Sequence, residues 1–567
     1  MIAAARTRVA GEAAPLLAAV LAAVGVLGPA LVPGAALVRD MVLLPGAVLG
    51  PRLLGLGHET ARAVPSDAVA ALASTVLGDL AAPSVLLLLL VGAGWGVSRL
   101  VPGPVVGRAA ATVAAVWNPY VAERLAMGHW ALLLGYAALP WVLAAAGAVA
   151  AGRGGGRPLL VALSVGALAG AVGWLLGVLA LLAGVLCGPR GRAARCWLPA
   201  AGLVVALAVP WALPSLLRPV APVSGQLGFA VFGPRSDLGD VPGGVVLGVL
   251  GGGGTWNASV VPDGRASGAG VVLALLALAV AVTGWVLRPP SARQDRVVLV
   301  AGALSLVTVL AGAALAHLPA LAGLPGAGLL RDATRSLGPW AVVLAVGTGR
   351  AVGEASRRGL PRGASLLIVL LPVVLLPGAA LGVGGRVATV QLPPAVAAVR
   401  AAVAAGPADE ALVVLPWQPV RAYDWNGRRT SLTPWSRVLP VRVVAASQLV
   451  VTRPGGAVVV PGDDPLAADV GVALAATDPV PALRRLGVGW VLVDAGASPS
   501  WLPAGRDLGS GVSLVRLEGA AAGAADRHDP PTSVVLVGDA LAVLAGLVLL
   551  ATTGRRRERR DSAVTLQ

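Results

Sequence analysis

The sequence is poor in charged residues. Asp, Glu, Lys and Arg together make up 12% of its 567 residues, whereas an ordinary soluble chain carries roughly 25%. So few charges cannot coat the several domains into which a soluble chain of this length would fold. Hydrophobic residues reach 57% and the mean hydropathy is +0.83, which also excludes a disordered chain. The composition therefore predicts a protein that crosses a membrane several times.

Lysine is absent, so every basic residue is an arginine. A phosphate-binding loop that ends in Gly-Lys is thereby excluded. The two cysteines, Cys187 and Cys196, flank an arginine-rich stretch that we place in the cytoplasm, where disulfides rarely persist. We therefore expect two unpaired thiols. The four histidines show no metal-ligand spacing, and we predict no zinc site.

Long apolar segments recur along the chain, and about twelve of them reach or approach the roughly 20 residues that a membrane helix needs. The predicted spans are 14–38, 82–101, 106–118, 129–151, 158–170, 172–187, 197–217, 269–287, 297–318, 338–353, 364–385 and 533–553. The predicted fold class is an all-α polytopic membrane protein with a small extracytoplasmic α/β domain before the last helix.

Arginines set the predicted orientation, because short loops rich in Arg stay in the cytoplasm. With a cytoplasmic N-terminus and alternating spans, the whole net charge of +16 falls on the cytoplasmic loops and tail, and both termini are cytoplasmic. This holds only if residues 158–187 form two half-length helices broken near 170–173, since one long helix would move the next arginine-rich loop outside. Topology alone explains the high pI, and no nucleic-acid partner is needed.

The predicted spans also set the domain boundaries. They give a multi-spanning domain over 1–385 with external loops at 39–80 and 218–268, an extracytoplasmic domain over 386–532, a final membrane helix at 533–553 and an arginine-rich cytoplasmic tail at 554–567. Short apolar runs in the extracytoplasmic domain predict buried strands. These strands are 412–415, 490–493 and 512–517, with a helix at 481–486.

Three acids of the first external loop are candidate catalytic residues. Asp40 follows the first span directly, beside Arg39, and Glu59 and Asp67 lie farther along. Two acids at one cavity provide a general base and an anchor for a divalent cation, the one cofactor that the sequence suggests. The alternatives are an interfacial ion pair between Asp40 and Arg39 and solvated loop positions for the other two acids.

A run of aromatic and polar residues at 117–130 separates two apolar spans. It contains the candidate site residues Asn118, Glu123, Arg124 and His129 among aromatic side chains typical of a membrane interface. The guanidinium group of Arg124 matches the oxygens of a phosphate. The alternative interpretation is an aromatic belt with a local Glu–Arg pair.

A second charged cluster lies between later spans, on the same predicted side of the membrane. It consists of Arg331, Asp332 and Arg335. Two arginines near the membrane surface suit a lipid-linked phosphate or pyrophosphate, because guanidinium groups bind phosphate oxygens in pairs. A structural network of ion pairs explains the same residues, and the sequence leaves both interpretations open.

The run Asn118–Leu125, which reads NPYVAERL, and Gly135–Trp141, which reads GYAALPW, resemble bacterial membrane proteins of the GT-C glycosyltransferase superfamily. The resemblance is to the membrane module of envelope arabinofuranosyltransferases and extends in layout over 14–386. It implies a long first external loop with a catalytic acid, a cavity open to the outer leaflet and a lipid-phosphate donor. Asp40 stands at the place of that acid, alone, where many members have two adjacent acids.

The resemblance implies transfer of a sugar from a polyprenyl-phosphate donor to a cell-envelope glycan, at the outer face of a bacterial plasma membrane. Asp40 would be the base, and Arg124, Arg331 and Arg335 would hold the donor phosphate. The lone aspartate leaves a second hypothesis, a non-catalytic subunit that binds glycan or a partner through 386–532. The broken segment 158–187 leaves a third, a flippase for lipid-linked sugars. The expected partners are the bilayer, the lipid-linked sugar and the glycan.

Overall fold

A computed structural model describes residues 2–57, 61–218, 225–324, 326–359, 361–453 and 456–564. The chain is a multi-pass membrane protein, and seven described segments are long and apolar enough to cross a bilayer. They are Gly11–Leu31, Ser66–Ser98, Trp130–Ala150, Ala193–Leu216, Gly268–Leu287, Arg293–Leu315 and Thr532–Thr553. The predicted count of about twelve is not confirmed, because several other helices are shorter than the roughly 20 residues that a span requires.

Helices dominate the chain before residue 386, apart from one short β-hairpin. The described helices there are α1 (Ile2–Leu27), α2 (Ser66–Leu77), α3 (Ala81–Ser98), α4 (Val105–Val116), α5 (Pro119–Ala126), α6 (Trp130–Ala150), α7 (Gly156–Ala167), α8 (Ala171–Cys187), α9 (Leu198–Leu216), α10 (Gly225–Val231), α11 (Gly244–Leu250), α12 (Gly268–Leu287), α13 (Arg293–Leu315), α14 (Pro319–Ala322), α15 (Gly338–Arg357), α16 (Arg362–Val369), α17 (Leu371–Leu375) and α18 (Ala380–Gly385). The hairpin strands are β1 (Ala35–Val38) and β2 (Met41–Leu43).

The first predicted span, 14–38, is wrong at its C-terminal end. Helix α1 ends at Leu27 and a short 3-10 turn follows it. Gly28 and Gly34 have φ values of +44° and +144°. Positive φ values end a right-handed helix, and only glycine adopts them without a steric penalty. The apolar residues of β1 therefore enter a sheet instead of the bilayer.

The predicted break within 158–187 is confirmed. Helices α7 and α8 are separate, and Gly170 between them has a φ of +75°. A Cβ atom at Gly173 would lie 2.2 Å from the Gly166 carbonyl oxygen. The turn is therefore so tight that glycine is required where the two helices meet.

The predicted span 364–385 is not one continuous helix, because the chain there forms three short helices, α16, α17 and α18. Pro372 and Pro377 lack the N–H group that a continuous helix needs. The segment from Leu381 to Gly384 has left-handed backbone angles. The mean hydropathy of a segment does not reveal these interruptions.

The last third of the chain holds an α/β region followed by the long final helix. Its described strands are β3 (Thr389–Val390), β4 (Ala411–Leu415), β5 (Val420–Ala422), β6 (Thr430–Leu432), β7 (Val443–Val444), β8 (Leu449–Arg453), β9 (Gly456–Val460), β10 (Val488–Asp494), β11 (Arg506–Asp507) and β12 (Val512–Arg516). The helices are α19 (Pro394–Ala404), α20 (Trp435–Val438), α21 (Pro465–Leu474), α22 (Pro479–Arg485) and α23 (Thr532–Val564). The predicted strands at 412–415, 490–493 and 512–517 and the helix at 481–486 are confirmed.

The main sheet has the strand order β11-β12-β10-β4-β7. Strands β10, β4 and β7 are parallel and β12 is antiparallel to β10. Alternate side chains of β4 enter different cores, as the period of a strand requires. Leu412 and Val414 pack in one core with α19, and Val413 and Leu415 pack in the other with α21. The region is therefore an α/β sandwich with its sheet in the middle.

Candidate functional site

Asp40 lies at the tip of the hairpin that follows α1. Strands β1 and β2 are antiparallel, Val38 pairs with Met41, and Arg39 and Asp40 connect them. Arg39 has a left-handed backbone with a φ of 50°. Two-residue hairpin connections favour this conformation, because the twist of such a turn matches the twist of the flanking strands. The Asp40 side chain is 55% exposed. The hairpin thus presents a carboxylate to solvent on a short connection.

Asn118 fixes the direction of α5. Its side-chain oxygen accepts a hydrogen bond from the Val121 amide at 2.9 Å and so caps the helix, which begins with Pro119. Its amide group donates to the carbonyl oxygens of Ala114 and Ala115, each at 2.9 Å. Asn118 therefore joins α4 to α5 and determines where the charged residues of α5 point.

His129 connects Asp40 to a group of arginines. Its Nε2 lies 3.3 Å from Asp40 Oδ2, and its Nδ1 lies 3.4 Å from Arg124 Nη1. Arginine only donates and an ionised carboxylate only accepts, so we assign the imidazole proton to Nε2, which donates to Asp40. Arg335 Nη2 lies 3.4 Å from the same Nε2, a contact that is not a hydrogen bond when Nε2 carries the proton. Asp40 and Arg335 therefore meet at one ring nitrogen.

Asp332 holds two of these arginines in place. Its Oδ2 lies 2.9 Å from Arg335 Nε and 3.3 Å from Arg124 Nη1. The Thr334 hydroxyl donates to Asp332 Oδ1 at 2.9 Å and accepts from Arg124 Nη2 at 2.7 Å. Arg124 is 1% exposed, whereas the Arg335 side chain is 34% exposed. Arg124 is therefore occupied inside the network, and Arg335 reaches solvent.

An open cavity of about 770 Å³ lies beside the hairpin tip. Its charged and titratable lining consists of the predicted residues Asp40, Asp67, His129, Arg331, Asp332 and Arg335, together with Arg39, Arg62, Arg235 and Arg437. Arginines outnumber acids there, which favours an anionic ligand. Asn118, Glu123 and Arg124 are not among the lining residues, and Glu59 lies outside the described residues.

Asp67 lines the cavity, but arginines bind its carboxylate. Arg52 and Arg437 both form salt bridges with Oδ2, the second at 3.3 Å, and the Asp67 side chain is 9% exposed. The geometry gives Asp67 a structural role, and its predicted catalytic role stays a prediction.

Glu123 lies in a separate buried cluster. It is 1% exposed, and its Oε2 accepts a hydrogen bond from the Thr255 amide at 3.3 Å. Burial and the neighbouring Asp237 carboxylate raise the pKa of Glu123, while Arg265 donates to Asp237 at 2.6 Å. Arg265 neutralises the charge of Asp237, and the raised pKa of Glu123 favours the protonated form of that carboxyl group.

The charges around Asp40 favour its ionised form. Desolvation acts to raise the pKa of Asp40, but the hydrogen bond from His129 and the positive charges of Arg335 and Arg62 hold the pKa below its usual range. Burial and the charge of Arg335 lower the pKa of His129, so its imidazole is neutral at neutral pH. Burial and repulsion from Arg62 and Arg335 lower the pKa of Arg331 to about 10. A bound anion would relieve that repulsion.

The structure is similar to solved structures of the arabinofuranosyltransferase AftD from mycobacteria. One matches 90% of the chain with 16% sequence identity and a TM-score of 0.56. A mutant of AftD matches 86% with 17% identity and a TM-score of 0.55. This chain spans 40% and 37% of the length of those chains. No family model and no curated protein matches the sequence. The likeness establishes the fold and confirms the resemblance that the sequence indicates.

The described acids of this cavity are not arranged as the ligands of a divalent cation. Among the residues that the structure describes, no three His, Cys, Asp or Glu side chains lie close enough to share a metal ion. Asp40 faces His129, and Asp67 and Asp332 each bind two arginines. Hard cations instead take several oxygen ligands. The donor set is that of an anion site.

One wall of the cavity was not predicted from the sequence. Residues 447–451 line it, and the hairpin of β8 and β9 packs through Val451 and Val460 against Val231 and Phe232. A signal for the hairpin existed, since two runs of β-branched residues flank a Pro-Gly-Gly sequence. No sequence pattern indicated that this hairpin folds back over a loop that lies more than 200 residues earlier.

Proposed function

We propose that this protein transfers a sugar from a polyprenyl-phosphate donor to a cell-envelope glycan, on the outer face of the bacterial plasma membrane. One observation carries the proposal: an exposed aspartate on a short hairpin shares a cavity with a cluster of arginines. The fold supports it, because solved structures of an arabinofuranosyltransferase share this fold.

Asp40 is the general base in this proposal. Its ionised carboxylate accepts the proton of an acceptor hydroxyl while that oxygen forms a bond to the anomeric carbon of the donor sugar. The bond between the anomeric carbon and the phosphate oxygen breaks, and polyprenyl phosphate leaves with the bonding electrons. His129 donates a hydrogen bond to Asp40 and orients the carboxylate.

Arg331 and Arg335 bind the donor phosphate. Both line the cavity, and charge-assisted hydrogen bonds from guanidinium groups strengthen as negative charge develops on the leaving phosphate. Arg62 adds a third positive charge to the same cavity. Arg124 acts indirectly, because it holds Asp332, which in turn orients Arg335.

The location on the outer face rests on the arrangement of arginines in the sequence. Short loops rich in Arg stay in the cytoplasm, and in the predicted topology they hold the whole net charge of +16. The loops that form the cavity fall on the opposite, charge-balanced side. A lipid-linked donor is accessible there from the outer leaflet, and the α/β region lies next to the envelope.

The variant Asp40→Asn tests the proposal. The full-length protein in membranes is given labelled polyprenyl-phosphate sugars and an envelope glycan acceptor, and transferred label is measured. We expect transfer to be lost and donor binding to be retained, because asparagine keeps the shape of the side chain but accepts no proton.

The matched control is Asp424→Asn. Asp424 is an exposed aspartate, paired with Arg428, that does not line the cavity. We expect full activity from this control. Unchanged transfer by Asp40→Asn would overturn the catalytic role and favour the non-catalytic subunit that the lone aspartate also suggests.

A further inference from the structure

The hairpin that carries Asp40 is buried on both faces. Alternate side chains of a strand point in opposite directions, and here they enter two different cores. The core of the membrane helices receives Ala36, Val38, Met41 and Leu43. The core of the α/β region receives Ala35, Leu37, Val42 and Leu44. The hairpin is therefore a layer between the two regions, and its tip faces the cavity.

Gly128 allows the hairpin tip to reach its place on the membrane side. Gly128 has a φ of +77°, and a Cβ atom there would lie 2.1 Å from Val38 O, 2.4 Å from Met41 N and 2.8 Å from Asp40 N. The Asp40 amide donates a hydrogen bond to Met127 O at 3.3 Å. Any side chain larger than hydrogen at 128 would push the tip away from α5 and from His129.

The α/β region holds the same tip from the opposite side. The Arg39 amide donates to Thr430 O at 2.6 Å, and the Leu432 amide donates to Arg39 O at 2.8 Å. The side-chain amide of Asn426, which is fully buried, donates to Leu37 O at 2.9 Å. Strand β6, which forms a separate two-stranded sheet with β5, thus meets the tip through an isolated bridge between Arg39 and Ser431 and fixes the connection that carries Asp40.

We infer that Gly128 and Asn426 are positioning residues for Asp40, and that the α/β region is an integral part of the active site because its hydrogen bonds hold the hairpin from which Asp40 projects. This inference rests on the proposed function. It assigns to the 386–532 region a role that binding of glycan alone would not require. The membrane helices hold one side of the hairpin tip, and the α/β region holds the other.

Hydrogen exchange measured by mass spectrometry tests the geometry without an activity assay. In the full-length protein in detergent, we expect peptides that cover 35–43 to exchange faster in Gly128→Ala than in the wild type. The matched control is Gly152→Ala, because Gly152 has a similar φ of +72° but no atom within 4 Å of a Cβ there. Unchanged exchange in Gly128→Ala would overturn the inference.

Kinetics test the consequence for Asp40. We expect kcat of Gly128→Ala to fall about 100-fold, the effect of a misplaced catalytic group, while KM for the lipid donor stays unchanged. The acid limb of the pH–rate profile should move to higher pH, because Asp40 leaves the hydrogen bond from His129 that lowers its pKa. A structural defect alone would lower the amount of active protein and leave this limb in place.

Asn426→Ala removes the hydrogen bond that holds the hairpin from the α/β side. Because this substitution adds no atoms, it tests the inference even if Gly128→Ala fails to fold. We expect faster exchange over 35–43 and a lower kcat, whereas Gln418→Ala, an exposed position of the same region, should resemble the wild type. Wild-type exchange and kcat in Asn426→Ala would overturn the inference. Full activity of Asp40→Asn would instead overturn the proposed function and leave the exchange results standing.

Discussion

Asp40 and Asp67 line the same cavity and come from the same stretch of sequence, but their surroundings differ. Two arginines, Arg52 and Arg437, bind the carboxylate of Asp67, whose side chain is 9% exposed. The carboxylate of Asp40 has a hydrogen bond from the neutral side chain of His129 and is 55% exposed. Two guanidinium groups occupy the carboxylate of Asp67, which therefore stabilises structure. A carboxylate with one neutral donor keeps lone pairs for a substrate proton.

The strongest test of this comparison replaces each acid by its amide. We expect Asp40→Asn to lower kcat by about 10²–10⁴-fold, the contribution of a general base, without changing the thermal unfolding midpoint. Asp67→Asn should keep most of the activity of the protein that remains folded. Initial rates normalised to folded protein measure the difference. Equal losses of kcat in the two variants would show that the surroundings do not separate the two roles.

The arginines near the two acids should also have different roles, one in binding the donor and the other in stabilising the fold. We expect Arg331→Gln to raise KM for the lipid donor by about 10-fold or more, since a hydrogen bond from a charged group contributes about 1.5–3 kcal/mol. Arg437→Gln should mainly lower stability, because Arg437 binds Asp67 at 3.3 Å. Donor titrations and thermal unfolding measure the two effects, with Arg428→Gln as the exposed control. An unchanged KM in Arg331→Gln would contradict the phosphate site.

A smaller effect concerns the stability of the Asp67 cluster. We expect Asp67→Asn to lower the free energy of unfolding by about 1–3 kcal/mol, because its arginine partners lose a charged acceptor. Thermal unfolding of wild type and variant measures this difference, and equal unfolding midpoints in the two proteins would contradict it.

The smallest expected effect is a shift of the pH–rate profile that depends on the hydrogen bond from His129 to Asp40 and not on the size of the histidine side chain. His129→Gln keeps an N–H donor, whereas His129→Leu removes it. Because that hydrogen bond lowers the pKa of Asp40, the acid limb of the pH–rate profile should move to higher pH in the leucine variant and move less in the glutamine variant. Identical shifts in the two variants would show that the donor does not set the pKa of Asp40.

Local patterns predicted much of the chain. The break at Gly170 and strands β4, β10 and β12 are confirmed, because backbone freedom of glycine and short apolar runs act over a few residues. The end of the span 14–38 and the continuity of the span 364–385 were wrong for a related reason. Their hydropathy is continuous, but glycine and proline interrupt the helices, and a strand forms where a sheet supplies the missing hydrogen bonds.

The candidate site was predicted in part. The sequence predicted several residues that line the cavity, because charged residues next to apolar spans cost free energy and are therefore candidates for function. They include Asp40, His129, Arg331, Asp332 and Arg335. The sequence did not show that Arg124 is buried behind the cavity or that Asp67 is bound by arginines. Those facts depend on partners that are distant in sequence, and no local pattern encodes them.

The sequence by itself determined that this chain enters a membrane, since its apolar segments cannot remain in water and its few charges are concentrated between them. Only the tertiary structure decided which acid keeps a free carboxylate. The hairpin of Asp40 is fixed between Gly128 and Asn426, which lie on opposite sides of it and nearly 300 residues apart in sequence. The properties of a carboxylate depend on the charges and donors within a few ångströms, and folding alone brings those groups together.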